Sequence, residues 1–232
     1  MLYSFYRNTP LGLISRRSMK AEKTIDGYHF NDSLPCGSHS YLLPSILSEL
    51  KLLQCTIEPK LPLNVFDLGC GNGSIAKHLS EAGCNVTGVD VSKDGIAHAK
   101  TAFPELNLKF GSAYHDLYEI YGEFPVVISL EVVEHLYDPR HFARTLYDLV
   151  KPGGTVIIST PYHGYAKNLV LALTGKMDAH FAALWDHGHI KFWSFKTLRI
   201  LLKEVGFRDI QFKRVGRIPP LAKSMIAIGH KP

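Results

Sequence analysis

Short apolar runs alternate along this chain with segments whose apolar residues recur every three to four positions. The first pattern predicts buried strands, and the second predicts amphipathic helices. Predicted strands occupy residues 63–68, 85–89, 106–110, 124–130 and 155–159, and predicted helices occupy about 41–54, 74–81, 93–102, 139–149 and 195–205. Because strands that alternate with helices form a parallel sheet with right-handed crossovers, the pattern predicts a doubly wound α/β fold.

Two further apolar runs, at 207–215 and 224–230, are joined by a linker that contains Gly216 and two prolines. A linker of this composition suits an antiparallel pair. The prediction is therefore a mostly parallel, seven-stranded sheet with an antiparallel C-terminal strand pair. The sequence Lys-Pro-Gly-Gly at 151–154 is predicted to be a tight turn before the fifth strand. One domain is predicted over 33–232, with a substrate or lid insertion at about 162–193.

An irregular N-terminal arm is predicted at 1–32. Its basic residues are Arg7, Arg16, Arg17, Lys20 and Lys23. This composition fits a mitochondrial presequence, but Pro10 and Gly12 disfavour an amphipathic helix, so a solvated arm is the preferred interpretation. The other basic residues are scattered, and the net charge of +5 predicts no nucleic-acid partner. Four cysteines without paired spacing indicate a reducing compartment, and we expect the cytoplasm.

The sequence Asp-Leu-Gly-Cys-Gly-Asn-Gly at 67–73 joins the first strand to its helix. Glycines at this position allow positive φ and a close approach of the backbone to a ligand, which would meet N–H groups at the helix start. Nicotinamide enzymes use the pattern G-x-G-x-x-G, whereas this chain has G-x-G-x-G. Asp90 ends the second strand, where a carboxylate can accept hydrogen bonds from both hydroxyls of a ribose.

These features resemble the class I S-adenosylmethionine (SAM) methyltransferases, and more closely the ubiquinone-biosynthesis O-methyltransferases. Further matches are Glu-Val-Val-Glu-His at 131–135, Lys-Pro-Gly-Gly at 151–154 and Thr-Pro at 160–161. The resemblance implies SAM as cofactor, with Gly69, Asp90 and Leu130 in contact with it and Ala113 and Tyr114 beside the adenine. The full set of candidate cofactor residues is Asp67, Gly69, Cys70, Gly71, Asp90, Val91, Ala113, Tyr114, Leu130 and Glu131.

One segment of the family's sequence has no counterpart in this chain, and two residues that stand in its place are further candidates for the site. The family's N-terminal Asn-Pro-Leu-Arg segment is missing, and Gly-Ser-His-Ser-Tyr stands at 37–41 instead. His39 and Tyr41 are candidate pocket residues there, or a surface cap and a packing aromatic. A doubly wound domain without a SAM site remains the alternative for the whole fold, and in that case Ala113 and Tyr114 are loop residues without a ligand.

The resemblance also implies a magnesium site at Glu131, Glu134 and His135, as in the eukaryotic branch of the family. Their spacing would place all three on one face of a helical turn. Two carboxylates and an imidazole could hold a divalent cation that acidifies a catechol oxygen. The alternative is that carboxylates at a helix start stabilise the helix dipole without any metal.

Transfer of a methyl group to a phenol needs a base, and histidine is the usual one because its pKa lies near neutrality. The candidates at or near the predicted strand ends are His135, which follows the fourth strand, His163, which follows the fifth, and His189, with His187 beside it. We therefore expect an O-methyltransferase acting on a small phenolic or quinol-type acceptor. A protein or nucleic-acid methyltransferase, an N-methyltransferase and a non-catalytic SAM-binding protein remain alternatives.

The predicted insertion contains the apolar run Leu-Val-Leu-Ala-Leu at 169–173, between Lys167 and Lys176. This run fits an interfacial helix that makes peripheral contact with a membrane through about 165–185. It fits equally a lid that packs on its own pocket. The sequence sets no oligomeric state.

Overall fold

The computed structural model describes residues 29–56, 61–186 and 188–232. Within that part of the chain the strands form one seven-stranded sheet in the order β3-β2-β1-β4-β5-β7-β6. Its strands are β1 (Leu63–Leu68), β2 (Cys84–Asp90), β3 (Asn107–Phe110), β4 (Phe124–Leu130), β5 (Val150–Pro161), β6 (Arg208–Val215) and β7 (Ser224–His230). The predicted fold class, a mostly parallel seven-stranded doubly wound sheet, is confirmed.

Helices cover both faces of this sheet, because adjacent residues of each strand point to opposite sides. On one face α1, α2 and α3 pack with Val65, and on the other α4, α5 and α8 pack with Phe66. The helices are α1 (His39–Thr56), α2 (Ser74–Glu81), α3 (Lys93–Ala102), α4 (Leu117–Tyr121), α5 (Pro139–Leu149), α6 (Tyr165–Leu173), α7 (Met177–Phe181) and α8 (Phe195–Glu204), with 3₁₀ turns at Val133–His135 and Pro219–Leu221.

Strands β1 to β5 are parallel, and the two C-terminal strands are antiparallel to each other as predicted. They lie next to each other at one end of the sheet. β7 lies between β5 and β6 and pairs antiparallel with both, so only β6 is at the edge. The last strand in sequence thus lies inside the sheet.

The predicted turn at 151–154 is wrong, because these residues belong to β5. Gly153 takes a φ of +75°, and the register between β4 and β5 shifts at this point. Lys231 holds the bulge through two backbone hydrogen bonds, one accepted from the Gly153 N–H at 2.9 Å and one donated to the Gly154 carbonyl at 3.0 Å. The chain therefore leaves α5 directly into the sheet, and the two glycines serve a β-bulge.

The insertion after β5 contains α6 and α7, neither of which has a buried residue. Its later part, up to Trp193, returns to the sheet and is tied to the 3₁₀ turn after β4. Among the described residues no helix has the length and apolar character needed to cross a membrane. The insertion therefore stands over the carboxyl ends of β4 and β5, where ligands bind in sheets of this class.

Candidate functional site

A cavity of about 820 Å³ opens at the carboxyl ends of β1, β2 and β4. This volume is near the upper end of the range for small-molecule sites, which is roughly 300–1,000 Å³, so it accommodates a cofactor and an acceptor together. All ten residues predicted for the cofactor line this cavity. Their contact with SAM stays a prediction, but the structure brings the whole set together.

The glycine turn shapes the floor of the cavity. Gly69, Gly71 and Gly73 all have positive φ, as predicted for a turn that other residues adopt at a cost. The N–H groups of these three glycines donate to acceptors within the protein, and binding of a ligand through the N–H groups at the start of α2 stays a prediction. The N–H groups of Gly69 and Cys70 donate to the carbonyl of Val89 at 2.8 and 3.1 Å, and that of Gly73 donates to Cys70 at 2.9 Å.

Asp90 is held in place by backbone donors from two sides. One carboxylate oxygen accepts from the N–H of Gly71 at 2.8 Å, and the other accepts from the N–H of Ser92 at 2.6 Å. Each carboxylate oxygen can accept more than one hydrogen bond, so both retain capacity for a diol. Burial raises the pKa of Asp90, while these two hydrogen bonds act in the opposite direction. The group is therefore positioned in advance to bind ribose hydroxyls.

Asp67 lies beneath the same turn and is 2% exposed. Its Oδ2 atom is buried without a hydrogen-bond partner among the described residues. Burial, and then the nearby Asp90, raise the pKa of Asp67 to about 7. A buried carboxylate requires a paired charge. SAM carries an ammonium and a sulfonium, so the unsatisfied Asp67 and the prearranged Asp90 fit this cofactor in charge and in hydrogen bonding.

A strap formed by residues 29–38 crosses the cavity mouth. The side-chain amide of Asn72 donates to the carbonyls of Asp32 and Leu34, at 2.9 Å each, and His29 pairs with Asp94 at 2.8 Å. The ring of Phe30 lies so close to the turn that a Cβ added at Gly71 would come within 2.6 Å of it. Residues 29–32, which the sequence analysis assigns to the arm, therefore contact the glycine turn and α3. Residues 1–28, with the presequence question, lie outside the described residues.

Glu131 follows β4 with a φ of +57°, so it is not part of the helical turn predicted for it. Its Oε1 accepts from the hydroxyl of Ser159 at 2.7 Å, and its Oε2 accepts from that of Ser224 at 3.2 Å. Burial raises the pKa of Glu131 to about 7, against the effect of the two hydroxyls. A left-handed non-glycine residue costs energy and is typical of functional sites. Glu131 therefore anchors the backbone where the cavity lining meets β5 and β7.

The magnesium ligands predicted at Glu131, Glu134 and His135 are not the group that the structure assembles. The ligand atoms that lie within 4.8 Å of one another belong to Glu134, His135 and His189. One carboxylate and two imidazoles do not fit magnesium, which prefers an octahedron of oxygen atoms. The Glu131 carboxylate is instead engaged by the two serines. We therefore derive no step through magnesium.

The predicted catalytic histidines separate into two groups. His135 and His189 line the cavity, with ring centroids 5.0 Å apart. Burial is the main cause that lowers the pKa of His189 to about 4. His163 does not line the cavity; its ring packs against His180 and Phe181 in the insertion. The prediction of His163 as a base at the site is therefore corrected.

The remaining candidate residues differ in whether they line the cavity. His39 lines the cavity, whereas the hydroxyl of Tyr41 bonds to Ser224 at 3.3 Å and does not reach the lining. His187 lies outside the described residues. The lining also includes residues that sequence reasoning did not select, chiefly aromatic and apolar side chains: Phe30, Leu136, Tyr137, Phe181, Trp185 and Ile190. Phe30 packs on the glycine turn, and the other five side chains give the rest of the cavity an apolar and aromatic lining.

Comparison with known proteins identifies the family. Residues 40–211 match the methyltransferase domain family. A protein from a Caulobacter species, named ubiquinone biosynthesis O-methyltransferase, is 38% identical over 53% of this chain and 49% of its own length. One of the same name from Ruegeria pomeroyi is 30% identical over 75% of this chain and 71% of its own length. The crystal structure of magnesium protoporphyrin IX methyltransferase from Synechocystis with bound SAH matches with a TM-score of 0.58, at 21% identity, over 81% of this chain and 83% of that one.

This chain belongs to the methyltransferase domain family. The predicted family, the methyltransferases, and the predicted Rossmann-like fold are confirmed. The closer resemblance to the ubiquinone biosynthesis O-methyltransferases is confirmed as well. The chain spans about half the length of the Caulobacter relative, and the solved structure at 21% identity shows the fold alone.

Proposed function

We propose that this chain transfers the methyl group of SAM to an oxygen atom of a small phenolic or quinol-type acceptor. The observation that carries the proposal is the division of one cavity into two chemically different halves. The glycine turn, Asp67 and Asp90 form a half suited to an adenosyl sulfonium. Two imidazoles, surrounded by aromatic side chains, form a half suited to a flat acceptor that loses a proton. The names of the Caulobacter and Ruegeria relatives support the choice of oxygen.

The acceptor half supplies orientation and a base. The indole of Trp185 lies with its ring centroid 5.2 Å from that of His189, so a planar acceptor finds aromatic contacts beside a proton acceptor. As the acceptor oxygen bonds to the methyl carbon, the carbon–sulfur bond breaks, its electron pair stays on sulfur, and an imidazole takes the proton. Burial lowers the pKa of His189 to about 4, so the ring is neutral at pH 7 and has a nitrogen atom that can accept the proton, but it is a weaker base than a free imidazole. A base whose pKa lies near the working pH typically contributes about 10²- to 10⁴-fold in rate, so we expect the contribution of His189 at the lower end of this range.

Incubation with methyl-labelled SAM tests the proposal, using a panel of phenols, catechols, carboxylates and amines. We expect label only on phenolic or catecholic oxygen. His189→Gln should lower kcat by at least tenfold and leave SAM affinity unchanged, while the exposed His115→Gln should alter neither. Label that appears only on amines or macromolecules would reject the acceptor class.

We further propose that the insertion brings the cavity to a lipid surface from which an apolar acceptor enters. Tyr165, Leu169 and Leu173 follow one another at intervals of four on α6 and are 96%, 59% and 78% exposed. Leu184, near the cavity mouth, is 98% exposed. Exposed apolar residues on one helix face are typical of a contact site. Lys167, predicted to flank this face, is half-buried and donates to the Tyr162 carbonyl at 2.9 Å, so it does not contribute its charge there.

Sedimentation with vesicles of phosphatidylcholine and phosphatidylglycerol tests the membrane contact. We expect a variant with both Leu169→Gln and Leu173→Gln to lose most of its vesicle-bound fraction. The matched control carries Leu52→Gln and Ile120→Gln, which are 61% and 66% exposed on other helices and should remain bound. Equal loss in both variants, or in neither, would contradict a lipid-facing α6.

A further inference from the structure

We propose that His39 binds the carboxylate of the methionyl part of SAM through its Nε2–H group, and that this contact makes the cavity selective for a cofactor that carries a carboxylate. His39 is the first residue of α1, and it lines the cavity. The proposal rests on the proposed function, because it takes SAM as the ligand of this cavity.

The charges of the lining leave the carboxylate of the cofactor without a cationic partner. In the stretches of chain that the structure describes, the lining has neither a lysine nor an arginine. Its acidic side chains are those of Asp67, Asp90, Glu131, Glu134 and Asp186. A carboxylate that moves from water into such a site needs hydrogen-bond donors in place of its hydration, since burial without them is costly. A neutral donor of the lining therefore has to supply this contact.

The hydrogen bonds of His39 fix which ring nitrogen carries the hydrogen. The backbone N–H of Cys36 donates to Nδ1 at 3.2 Å, and the hydroxyl oxygen of Ser74 lies 3.2 Å from the same nitrogen. Burial, and then the nearby His78, lower the pKa of His39 to about 4, so the ring is neutral at pH 7. A neutral ring that accepts at Nδ1 carries its hydrogen on Nε2. His39 is therefore a donor at Nε2, which suits it to bind an anion and not to act as a base.

The place of His39 in the fold favours an anion for a second reason. Ser74, which contacts its ring, is the first residue of α2, and Ile75 in the same turn lines the cavity. The N-terminus of a helix carries a partial positive charge that attracts anions. The first turn of α2 contains no acidic residue, and its N-cap, Gly73, makes no side-chain hydrogen bond to it. The carboxylate of the cofactor would thus meet the imidazole N–H and the positive end of α2 together.

The two ends of the glycine turn match the two charges of an amino-acid group. Asp67 precedes the turn, and its Oδ2 atom has no hydrogen-bond partner among the described residues, so it suits the ammonium. His39 and Ser74 lie at the other end of the turn, where they suit the carboxylate. Asn72, within the turn, is already engaged, because its amide donates to two carbonyls of the strap. His39 is thus the neutral donor that is placed for the carboxylate.

Calorimetry with two ligands separates recognition of the carboxylate from the shape of the pocket. The ligands are S-adenosylhomocysteine (SAH) and S-adenosyl-3-thiopropylamine, which lacks the carboxylate and keeps the amine. We expect the wild-type protein to prefer SAH. His39→Ala should weaken SAH binding about tenfold or more and change binding of the thiopropylamine by less than about twofold. His39→Gln, whose amide nitrogen can occupy the position of Nε2, should recover most of the SAH affinity.

His98→Ala is the matched control, because it removes a half-buried imidazole of α3 that does not line the cavity. It should leave both affinities unchanged. Long-range ¹H–¹⁵N NMR spectra of the histidine rings give a second readout on the wild-type protein. We expect the hydrogen of His39 on Nε2, and a shift of the Nε2 resonance that SAH causes and the thiopropylamine does not.

Three results would overturn the inference: a hydrogen on Nδ1 of His39, an equal loss of affinity for both ligands in His39→Ala, or no loss for either. Absence of SAH binding to the wild-type protein would overturn this inference and the proposed function together. Label transfer to phenols is measured separately. A wrong acceptor class therefore leaves the result for His39 unaffected, and failure of His39 to recognise the carboxylate leaves the acceptor class unaffected.

Discussion

The substitution Asp67→Asn tests whether the carboxyl beneath the glycine turn is kept for its ligand at the expense of stability. Burial and the nearby Asp90 raise the pKa of Asp67 from an ordinary value near 3.8 to about 7. Because the folded protein then binds this proton more tightly than the unfolded chain, Asp67 lowers stability progressively as the pH rises from about 4 through 7. A pKa difference of about 3 corresponds to about 4 kcal/mol.

Asparagine has nearly the same shape as aspartate and carries no charge. We expect the free energy of unfolding of Asp67→Asn to exceed that of the wild type by up to about 4 kcal/mol at pH 8. The difference should shrink as the pH falls and be smallest at the acid end of the range, because below the unfolded-state pKa of 3.8 the aspartate is protonated in both states. Urea denaturation from pH 4 to 8.5, without SAM, measures it. The exposed Asp148→Asn is the control and should show no such dependence.

We expect Asp67→Asn to weaken the binding of SAM although it raises the free energy of unfolding. Since Asp67 would pair with a cationic group of SAM, the variant should bind SAM at least tenfold more weakly at pH 8 by calorimetry. A stability difference that does not change with pH would refute the raised pKa. Unchanged SAM affinity would refute the pairing. The stability measurement tests the raised pKa and the affinity measurement tests the pairing with SAM, each independently of the other.

Three other changes address separate parts of the fold. Asp90→Ala should weaken SAM binding by about 2 kcal/mol or more, because it removes the acceptor prepared for the ribose; unchanged calorimetric affinity, with Asp148→Ala as control, would contradict this. Phe30→Ala should raise the SAM dissociation constant about tenfold by opening the strap, and stopped-flow should place the effect in the dissociation rate. Ser194→Ala should lower the free energy of unfolding by about 1 kcal/mol through loss of the α8 capping box, with SAM affinity intact.

The strands and most helices were predictable because hydrophobic periodicity reports burial directly. β4 and α5 begin and end where the sequence places them, since the apolar run and the capping Asp138 mark their limits. The ten cofactor residues were predictable for a related reason. Parallel strands bring their carboxyl ends to one edge, so residues that follow different strands converge there without any knowledge of long-range contacts.

The errors arose where the direction of a side chain or a distant contact decides the outcome. His163 follows β5 as His135 follows β4, but only the folded insertion shows that His163 turns toward His180. Phe30 lies in a segment without periodicity, so no pattern marks its contact with Gly71. Glu131 fits a helical spacing, but its left-handed backbone removes it from the turn. Glu134 and His189 meet only because the chain returns to the turn after β4 once it has passed through α5, β5 and the two helices of the insertion.

The position of β7 has a consequence for the order of folding. As the ribosome releases the chain, β5 and β6 emerge first, yet each needs β7 as its hydrogen-bonding neighbour. Until residues 224–230 arrive, β5 has an unpaired flank and β6 has no place in the sheet. Ser224, which anchors Glu131 at the rim of the cavity, comes with that same strand. The sheet and the binding pocket are therefore completed only after β7, the last strand to be synthesised, inserts between β5 and β6.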